Sequence, residues 1–137
     1  MRPRSALVVI ACLSATPALA LDTYYCADTK GEVTLDFDVD SSDQPFKRIQ
    51  MQIVGDIGIS TDPAHPDNDG EYIDTQYAGQ DFQGLDVAWK EENERIHKAM
   101  SLRLVSAYEG DTIVLAGALS VDGGGAWPLI CTSRAPN

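Results

Sequence analysis

The feature that most constrains the fold is a strict alternation of apolar and polar side chains, clearest over residues 32–40 (EVTLDFDVD). The apolar residues of one parity are Val33, Leu35, Phe37 and Val39. Because successive side chains of a β-strand point to opposite faces, this pattern predicts a half-buried strand with a polar outer face.

The same period of two continues along most of the chain. Apolar residues of one parity recur at 49–59, 73–77, 85–89, 100–104, 113–121 and 127–131, and a short first strand is expected at 23–27. Within 49–59, Gly55 indicates a bulge or bend in one long strand. Residues 91–100 have few apolar side chains and predict a polar loop that leads into a strand. About eight strands separated by turn residues therefore form the predicted fold.

This pattern predicts an all-β domain, an antiparallel up-and-down meander that closes into a small barrel, with a two-sheet sandwich as the alternative. Cys26 lies on the first predicted strand and Cys131 on the last. If those strands pair, a disulfide joins the two ends of the domain; two buried free thiols are the alternative. Isoleucines, leucines and both tryptophans are expected to fill the interior of an eight-stranded barrel.

Residues 1–20 (MRPRSALVVIACLSATPALA) are typical of a secretory signal peptide, with two arginines, a short apolar run and a small-x-small ending. We therefore expect residues 21–137 to form one domain that is periplasmic or secreted. Export would also favour a disulfide, since such compartments are oxidising. An alternative takes VIAC, which ends at Cys12, as a lipoprotein signal that anchors the protein through that cysteine. No segment after residue 20 is long and apolar enough to predict a transmembrane helix.

The charge of the chain is strongly acidic. The sequence has 10 basic and 21 acidic residues. Removal of Arg2 and Arg4 with the signal would leave 8 basic residues against those 21 and a net charge of −13. A nucleic-acid partner is disfavoured because phosphates would be repelled. A basic protein or a divalent cation is the more plausible partner, although solubility alone also explains such a charge.

The stretch DPAHPDNDGEY (residues 62–72) is the longest without apolar periodicity, and we expect it to form a long connection across one barrel end. Calcium accepts flexible cages of oxygen ligands, so this loop is a candidate calcium site. Its candidate ligands are Asp62, Asp67, Asp69 and Glu71. The alternative is a cluster of Asx turns stiffened by proline, in which the acidic residues satisfy their own backbone and no cofactor is bound.

A second candidate site is a ladder of carboxylates on the polar face of the strand near residue 36. Its members are Glu32, Asp36, Asp38 and Asp40. Such a row could dock a cationic protein, whereas the alternative is a solvated outer face that neighbours partly neutralise. We expect Lys47 and Arg48 to face Asp38 and Asp40 across a hairpin.

The sequence contains none of the common motifs of catalytic or nucleotide-binding sites. His65 and His97 are the only histidines, and each has a simple structural interpretation. We therefore expect a binding protein and not an enzyme.

Tyr24-Tyr25-Cys26 at the start and Cys131 near the end, in a chain of this layout, resemble the small periplasmic inhibitors of C-type lysozymes. That resemblance implies an exported eight-stranded barrel with a lysozyme as its basic partner. The family's Ser-Gly-containing inhibitory loop has only a loose counterpart at residues 106–110 (SAYEG).

Overall fold

A computed structural model describes residues 21–40, 45–55, 57–110 and 112–134. Nine strands make up the regular structure of these residues. They are β1 (Asp22–Ala27), β2 (Val33–Val39), β3 (Phe46–Ile53), β4 (Ile57–Ser60), β5 (Tyr72–Ala78), β6 (Phe82–Lys90), β7 (Ile96–Glu109), β8 (Thr112–Val121) and β9 (Gly125–Arg134).

All nine strands belong to one antiparallel sheet in the order β4-β3-β2-β1-β9-β8-β7-β6-β5. The sheet is a nearly closed barrel, which confirms the all-β meander and excludes the two-sheet sandwich. The first and last strands pair, with Cys26 directly opposite Cys131, and a disulfide joins the two residues. The predicted link between the ends of the domain is therefore present.

The alternating pattern of the sequence supplies the barrel interior. Residues of the inward parity on β2, β3, β6, β7 and β8 are buried and form one cluster. Its largest fully buried members include Phe37, Phe46, Leu35, Ile49, Met51, Leu85, Met100, Leu102, Leu104 and Leu119. Outward residues of the same strands meet solvent, so function has to be sought on the outer faces, the rims and the edges.

The two edge strands of the sheet, β4 and β5, are consecutive in the sequence and lie in the middle of the chain. The prediction of one strand over residues 49–59 is wrong, because the chain reverses at Gly55, whose φ is 107°. Ile53 and Ile57 pair directly across this turn and keep the same facing. The apolar alternation therefore continues through the turn, although the strand ends there. The sheet consequently has nine strands.

Trp89 does not fill the barrel as expected; it is 37% exposed. The register between β6 and β7 shifts between Val87 and Ala88. The extra residue lies on β7, because Val87 pairs with Met100 and Ala88 with Lys98, and Trp89 lies near the end of β6, where it stacks on His97. Trp127, in contrast, is partly buried and packs against the core. The loop before β7 is also shorter than predicted, since the strand already begins at Ile96.

The described part of the chain contains no helix with the length and apolar character needed to cross a bilayer. The signal peptide and the alternative anchor Cys12 lie outside the described residues. Export and the division into residues 1–20 and 21–137 therefore stay predictions.

Candidate functional site

The acidic face consists of Glu32, Asp36, Asp38 and Asp40, and it follows the outside of β2. Asp36 and Asp38 lie on the strand, Glu32 immediately precedes it and Asp40 immediately follows it. The spacing of two thus brings the four positions into one row, as predicted. Their role in docking remains a prediction, and the local geometry shows how much of their charge is already compensated.

Asp38 is held by two neighbouring strands. Thr23 on β1 donates its hydroxyl to Oδ1 at 2.8 Å, and Arg48 on β3 donates from Nε to Oδ2 at 2.8 Å and from Nη2 to Oδ1 at 3.2 Å. Partial burial alone would raise the pKa of Asp38, but the hydrogen bonds from Arg48 and Thr23 and the positive charge of Arg48 lower it below its ordinary value. This carboxylate is part of the structure of the barrel.

Asp40 is paired as well, since Nζ of Lys47 lies 3.2 Å from its Oδ2. The expected pairing of Lys47 and Arg48 with Asp40 and Asp38 is thus present. Asp38 and Asp40 are thus compensated within the barrel, and Glu32 at the turn is the exposed member of the row. A cationic partner would therefore meet less net charge here than the sequence suggests.

The candidate calcium loop joins β4 to β5, the two edge strands. Its acidic side chains accept hydrogen bonds from the loop backbone: Asp62 Oδ1 from the Ala64 amide at 2.9 Å, and Glu71 Oε2 from the Asp69 amide at 2.6 Å. Asn68 Nδ2 donates to the carbonyls of Ser60 at 2.6 Å and Glu71 at 3.1 Å. The loop is therefore closed by Asx-type turns.

Two contacts attach this loop to the sheet. Asp67 lies over Gly58 on β4, where a side chain at residue 58 would collide with the Asp67 carboxylate. His65 Nδ1 accepts a hydrogen bond from the Asp67 amide at 3.1 Å, and its Nε2 lies 2.8 Å from the side-chain amide of Gln50 on β3. His65 therefore contacts both the loop backbone and β3 through its two ring nitrogens.

Among the residues that the structure describes, no three His, Cys, Asp or Glu side chains are grouped as metal ligands. Asp62 and Glu71 are already used by the loop backbone. Calcium binding by Asp62, Asp67, Asp69 and Glu71 stays a prediction that requires a direct test.

Strands β6 to β9 and β1 carry an exposed apolar surface, which we call the apolar outer face. One row of it crosses five strands in register: Phe82 pairs with Val105, Val105 with Ala116, Ala116 with Ile130 and Ile130 with Ala27. The next row adds the pair Ala107 and Val114. The four largest side chains, Phe82, Val105, Val114 and Ile130, are 42% to 55% exposed.

An aromatic and charged group borders the apolar outer face on β5–β7. The rings of Tyr77 and Phe82 stack at 6.1 Å, and Tyr77 covers Gly84, where a Cβ would touch its ring. The Arg103 guanidinium lies 5.6 Å from the Tyr77 ring and donates from Nη2 to Asp86 Oδ1 at 2.7 Å. The glycine thus lets an aromatic side chain lie flat on the sheet, next to the exposed row.

Partial burial alone would raise the pKa of Asp86. Hydrogen bonds from Ser101 and Arg103, the charge of Arg103 and a hydrogen bond from Thr75 outweigh this effect and lower the pKa to about 2. Asp86 is therefore a permanently charged, well-compensated group at the border of an apolar surface.

The second histidine lies in a small cluster at the β6–β7 turn. His97 stacks on Trp89 at 4.6 Å, and its Nε2 is 3.0 Å from Glu91 Oε1. That contact has the distance of an ion pair but not the alignment of a hydrogen bond. The prediction that the protein is not an enzyme remains open.

The segment 106–110, the loose counterpart of the inhibitory loop, ends β7 and enters the turn to β8. Tyr108 projects at the rim with 58% exposure and donates its hydroxyl to the Gln80 carbonyl at 3.3 Å. Gly110 adopts φ 59° in this turn. The segment is thus an ordinary hairpin end that presents one tyrosine.

Sequence reasoning missed the apolar outer face because it followed only one parity of each strand. Val105, Val114 and Ile130 occupy the opposite parity, where water-facing strands carry polar residues. A sequence signal was present, since residues 113–119 (IVLAGAL) are apolar at both parities. Such a strand in a small barrel has an apolar outer side, and that is a reason to look for a contact surface.

Comparisons of the chain with models of protein families, with curated proteins and with solved structures found no match. The resemblance to the lysozyme inhibitors therefore stays a hypothesis.

Proposed function

We propose that the protein is an exported binding protein that docks on a basic partner protein through the apolar outer face. The observation that carries this proposal is the in-register row of Phe82, Val105, Ala116, Ile130 and Ala27 on the outside of the barrel. Monomeric proteins seldom expose such contiguous apolar surface unless it has a partner.

The scaffold suits this role. The inward side chains form a closely packed core, and the disulfide fixes β1 to β9 directly beside the exposed row. A rigid surface loses little conformational entropy on association, so buried apolar contacts contribute to affinity with less offset.

Charge supports a basic partner. The acidic excess of the chain gives it a negative field that accelerates encounter with cationic proteins. In this division of roles, long-range charge guides the partner and the apolar outer face provides the desolvated contact. A C-type lysozyme is the specific partner that the sequence resemblance suggests.

The test is titration of a C-type lysozyme with the protein, read as binding and as loss of lysozyme activity. We expect one-to-one saturation that persists at moderate salt, because central apolar contacts are not screened. The double variant Phe82→Ser plus Ile130→Ser should weaken binding by a factor of at least ten. The matched control, Val54→Ser plus Ile57→Ser, removes two exposed apolar side chains near the β3–β4 turn and should bind like the unmodified protein.

Equal inhibition by an unrelated acidic protein of the same net charge would reduce the effect to charge attraction. Equal binding by the two double variants would remove the apolar outer face from the proposal.

Export itself is supported by the disulfide, because such bonds persist in oxidising compartments. The mature protein should begin at Leu21 when its mass is measured after secretion. A diacylglycerol-modified Cys12 at the N-terminus would establish the lipoprotein alternative instead.

A further inference from the structure

The barrel has a seam where its edge strands meet without a ladder. In the described residues, β4 pairs only with β3, and β5 pairs only with β6. Because β4 pairs with residues 50–53 of β3, the first half of β3 extends past it and lies opposite β5. The seam is thus bordered by the start of β3 on one side and by β5 on the other.

One glutamine bridges this seam in place of a strand. The Gln76 side chain on β5 accepts a hydrogen bond from the Phe46 amide at 2.9 Å and donates to the Phe46 carbonyl at 3.4 Å. A primary amide that meets both the N–H and the C=O of one residue reproduces what a neighbouring peptide unit offers in a sheet. The Gln76 side chain therefore takes the hydrogen-bonding position at Phe46 that a neighbouring strand would occupy in a continuous sheet.

The adjoining position on β3 is filled in a similar way. Ile49 donates its amide to the Thr61 hydroxyl and accepts a hydrogen bond from the Thr61 amide, both at 3.0 Å. Thr61 is the first residue after β4, so the ladder of β4 ends there and the seam opens beyond it. The remaining part of the β3 edge is consequently short, and it lies between the contact with Thr61 and the contact with Gln76.

A cleft of about 280 Å³ lies in the seam, close to the lower size limit of ligand sites. It is lined by Phe46, Lys47, Thr61, Tyr72, Ile73 and Gln76. Two edge backbones, apolar side chains at the base and a displaceable amide are the elements of a strand-addition site.

The charges around the cleft favour a cationic occupant. Lys47, the cation of the lining, is paired with Asp40. Asp62 and Glu71 flank the seam on the β4–β5 connection, and Asp74 is exposed on β5. An inserted strand with basic outward side chains would lie among these carboxylates.

We propose that the seam between β3 and β5 binds an extended, basic peptide segment, which displaces the Gln76 side chain and completes the sheet as an additional strand. Alternate side chains of the segment point to the apolar base near Phe46 and Ile73, and the others point outward toward the carboxylates. This site is separate from the apolar outer face, so either proposal can fail without the other.

The experiment uses the mature protein and a synthetic peptide of about eight residues that alternates valine and lysine. Binding is measured by fluorescence anisotropy. In two further peptides the backbone amides of all valines or of all lysines are N-methylated. Each change keeps the charge of the peptide and removes the N–H donors along one of its two edges. Because an inserted strand bonds along both edges, we expect each methylated set to lower affinity by at least tenfold. If either methylated peptide retains full affinity, insertion into the seam is rejected.

A variant tests the role of Gln76. Gln76→Ala removes the competitor for the Phe46 backbone groups, and we expect the unmodified peptide to bind about tenfold tighter. The control Gln83→Ala removes a side chain of the same type on β6, where it contacts Ser106, and should leave affinity unchanged. Equal effects of the two variants would overturn the proposal. If Gln76→Ala does not fold, the methylated peptides decide the question with the unmodified protein.

Discussion

The outside of β2 and β3 and the outside of β6 to β9 belong to the same barrel but are built in opposite ways. On the outside of β2 and β3, charged side chains pair with one another, as Asp38 does with Arg48 at 2.8 Å and Asp40 with Lys47 at 3.2 Å. On β6 to β9 a row of outward positions is apolar, and Val105 and Ile130 meet solvent.

The difference shows that density of charge is a poor guide to a contact surface in this protein. Charges on the acidic face are held by their neighbours, and a partner would have to break those pairs before it could use them. Side chains of the apolar outer face gain free energy from any partner that removes them from water. The two sides meet at β1 and β9, where the disulfide lies.

Removal of this disulfide is expected to have the largest effect on stability. In the double variant Cys26→Ala plus Cys131→Ala, the unfolded chain is freed from a loop whose ends are 105 residues apart. The chain-entropy estimate for such a loop is about 4 to 5 kcal/mol. Urea unfolding followed by circular dichroism should show that loss in the free energy of unfolding.

Reduction of the unmodified protein provides the control, because it breaks the same bond and changes no residue. A loss below about 1 kcal/mol in both cases would mean that pairing of β1 with β9 suffices to join the acidic and apolar sides.

Sequence patterning predicted the class of the fold because burial in a barrel depends on side-chain parity, which alternation records. It did not predict the seam, since Ile53 and Ile57 keep the same parity through the turn at Gly55. It also misplaced Trp89, because alternation gives the parity of a side chain but not its distance from the end of the strand, and Trp89 is the penultimate residue of β6.

The second largest effect concerns Asp86, the compensated carboxylate beside the apolar outer face. Its pKa is about 2 in the folded protein against an ordinary value of 3.8. Since a lowered pKa stabilises the fold only while the group is ionised, this contribution is complete above about pH 5 and is lost as the pH falls toward 2. Asp86→Asn should therefore lower the free energy of unfolding at pH 7 by about 2 kcal/mol.

The measurement is urea unfolding at several pH values between 2 and 7. The curves of Asp86→Asn and the unmodified protein should converge at the acidic end. Asp74→Asn, a change at an exposed carboxylate on β5, serves as control and should follow the unmodified protein throughout. Parallel curves for Asp86→Asn would show that its partners do not stabilise the charged form.

A smaller effect is expected on the acidic side. Arg48→Met keeps most of the aliphatic stem but removes the Arg48 hydrogen bonds to Asp38, which among the described residues keeps the one from the Thr23 hydroxyl. The loss of a charged hydrogen-bonded pair at this partly buried site should cost about 1 kcal/mol. Lys47→Met is the matched control at the neighbouring residue, and its more exposed ion pair with Asp40 should contribute less than about 0.5 kcal/mol.

Those variants also separate the two sides by function. Thermal unfolding should detect Arg48→Met, whereas lysozyme binding should not, because the apolar outer face is intact. The reverse result, stability unchanged and binding lost, would transfer the contact surface to the acidic face.

The candidate sites were only partly predictable from the sequence. The pairs of Lys47 and Arg48 with Asp40 and Asp38 follow from the hairpin, since residues on adjacent strands at matching positions must meet. The apolar outer face and the Gln76 bridge depend on which strands become neighbours across the whole barrel. Sequence periodicity describes each strand separately and carries no such information.

The smallest expected effect is that of calcium. If the loop held a calcium ion in the folded state only, calcium at 100 times its dissociation constant would stabilise the protein by about 2.7 kcal/mol and raise the melting temperature. We expect equal melting temperatures in calcium and in chelator, because the Asp62 and Glu71 carboxylates are already bonded to the loop backbone. Asp67→Ala plus Asp69→Ala is the decisive variant. A calcium-dependent rise in melting temperature that this variant abolishes would establish the calcium site and make the acidic side of the barrel functional.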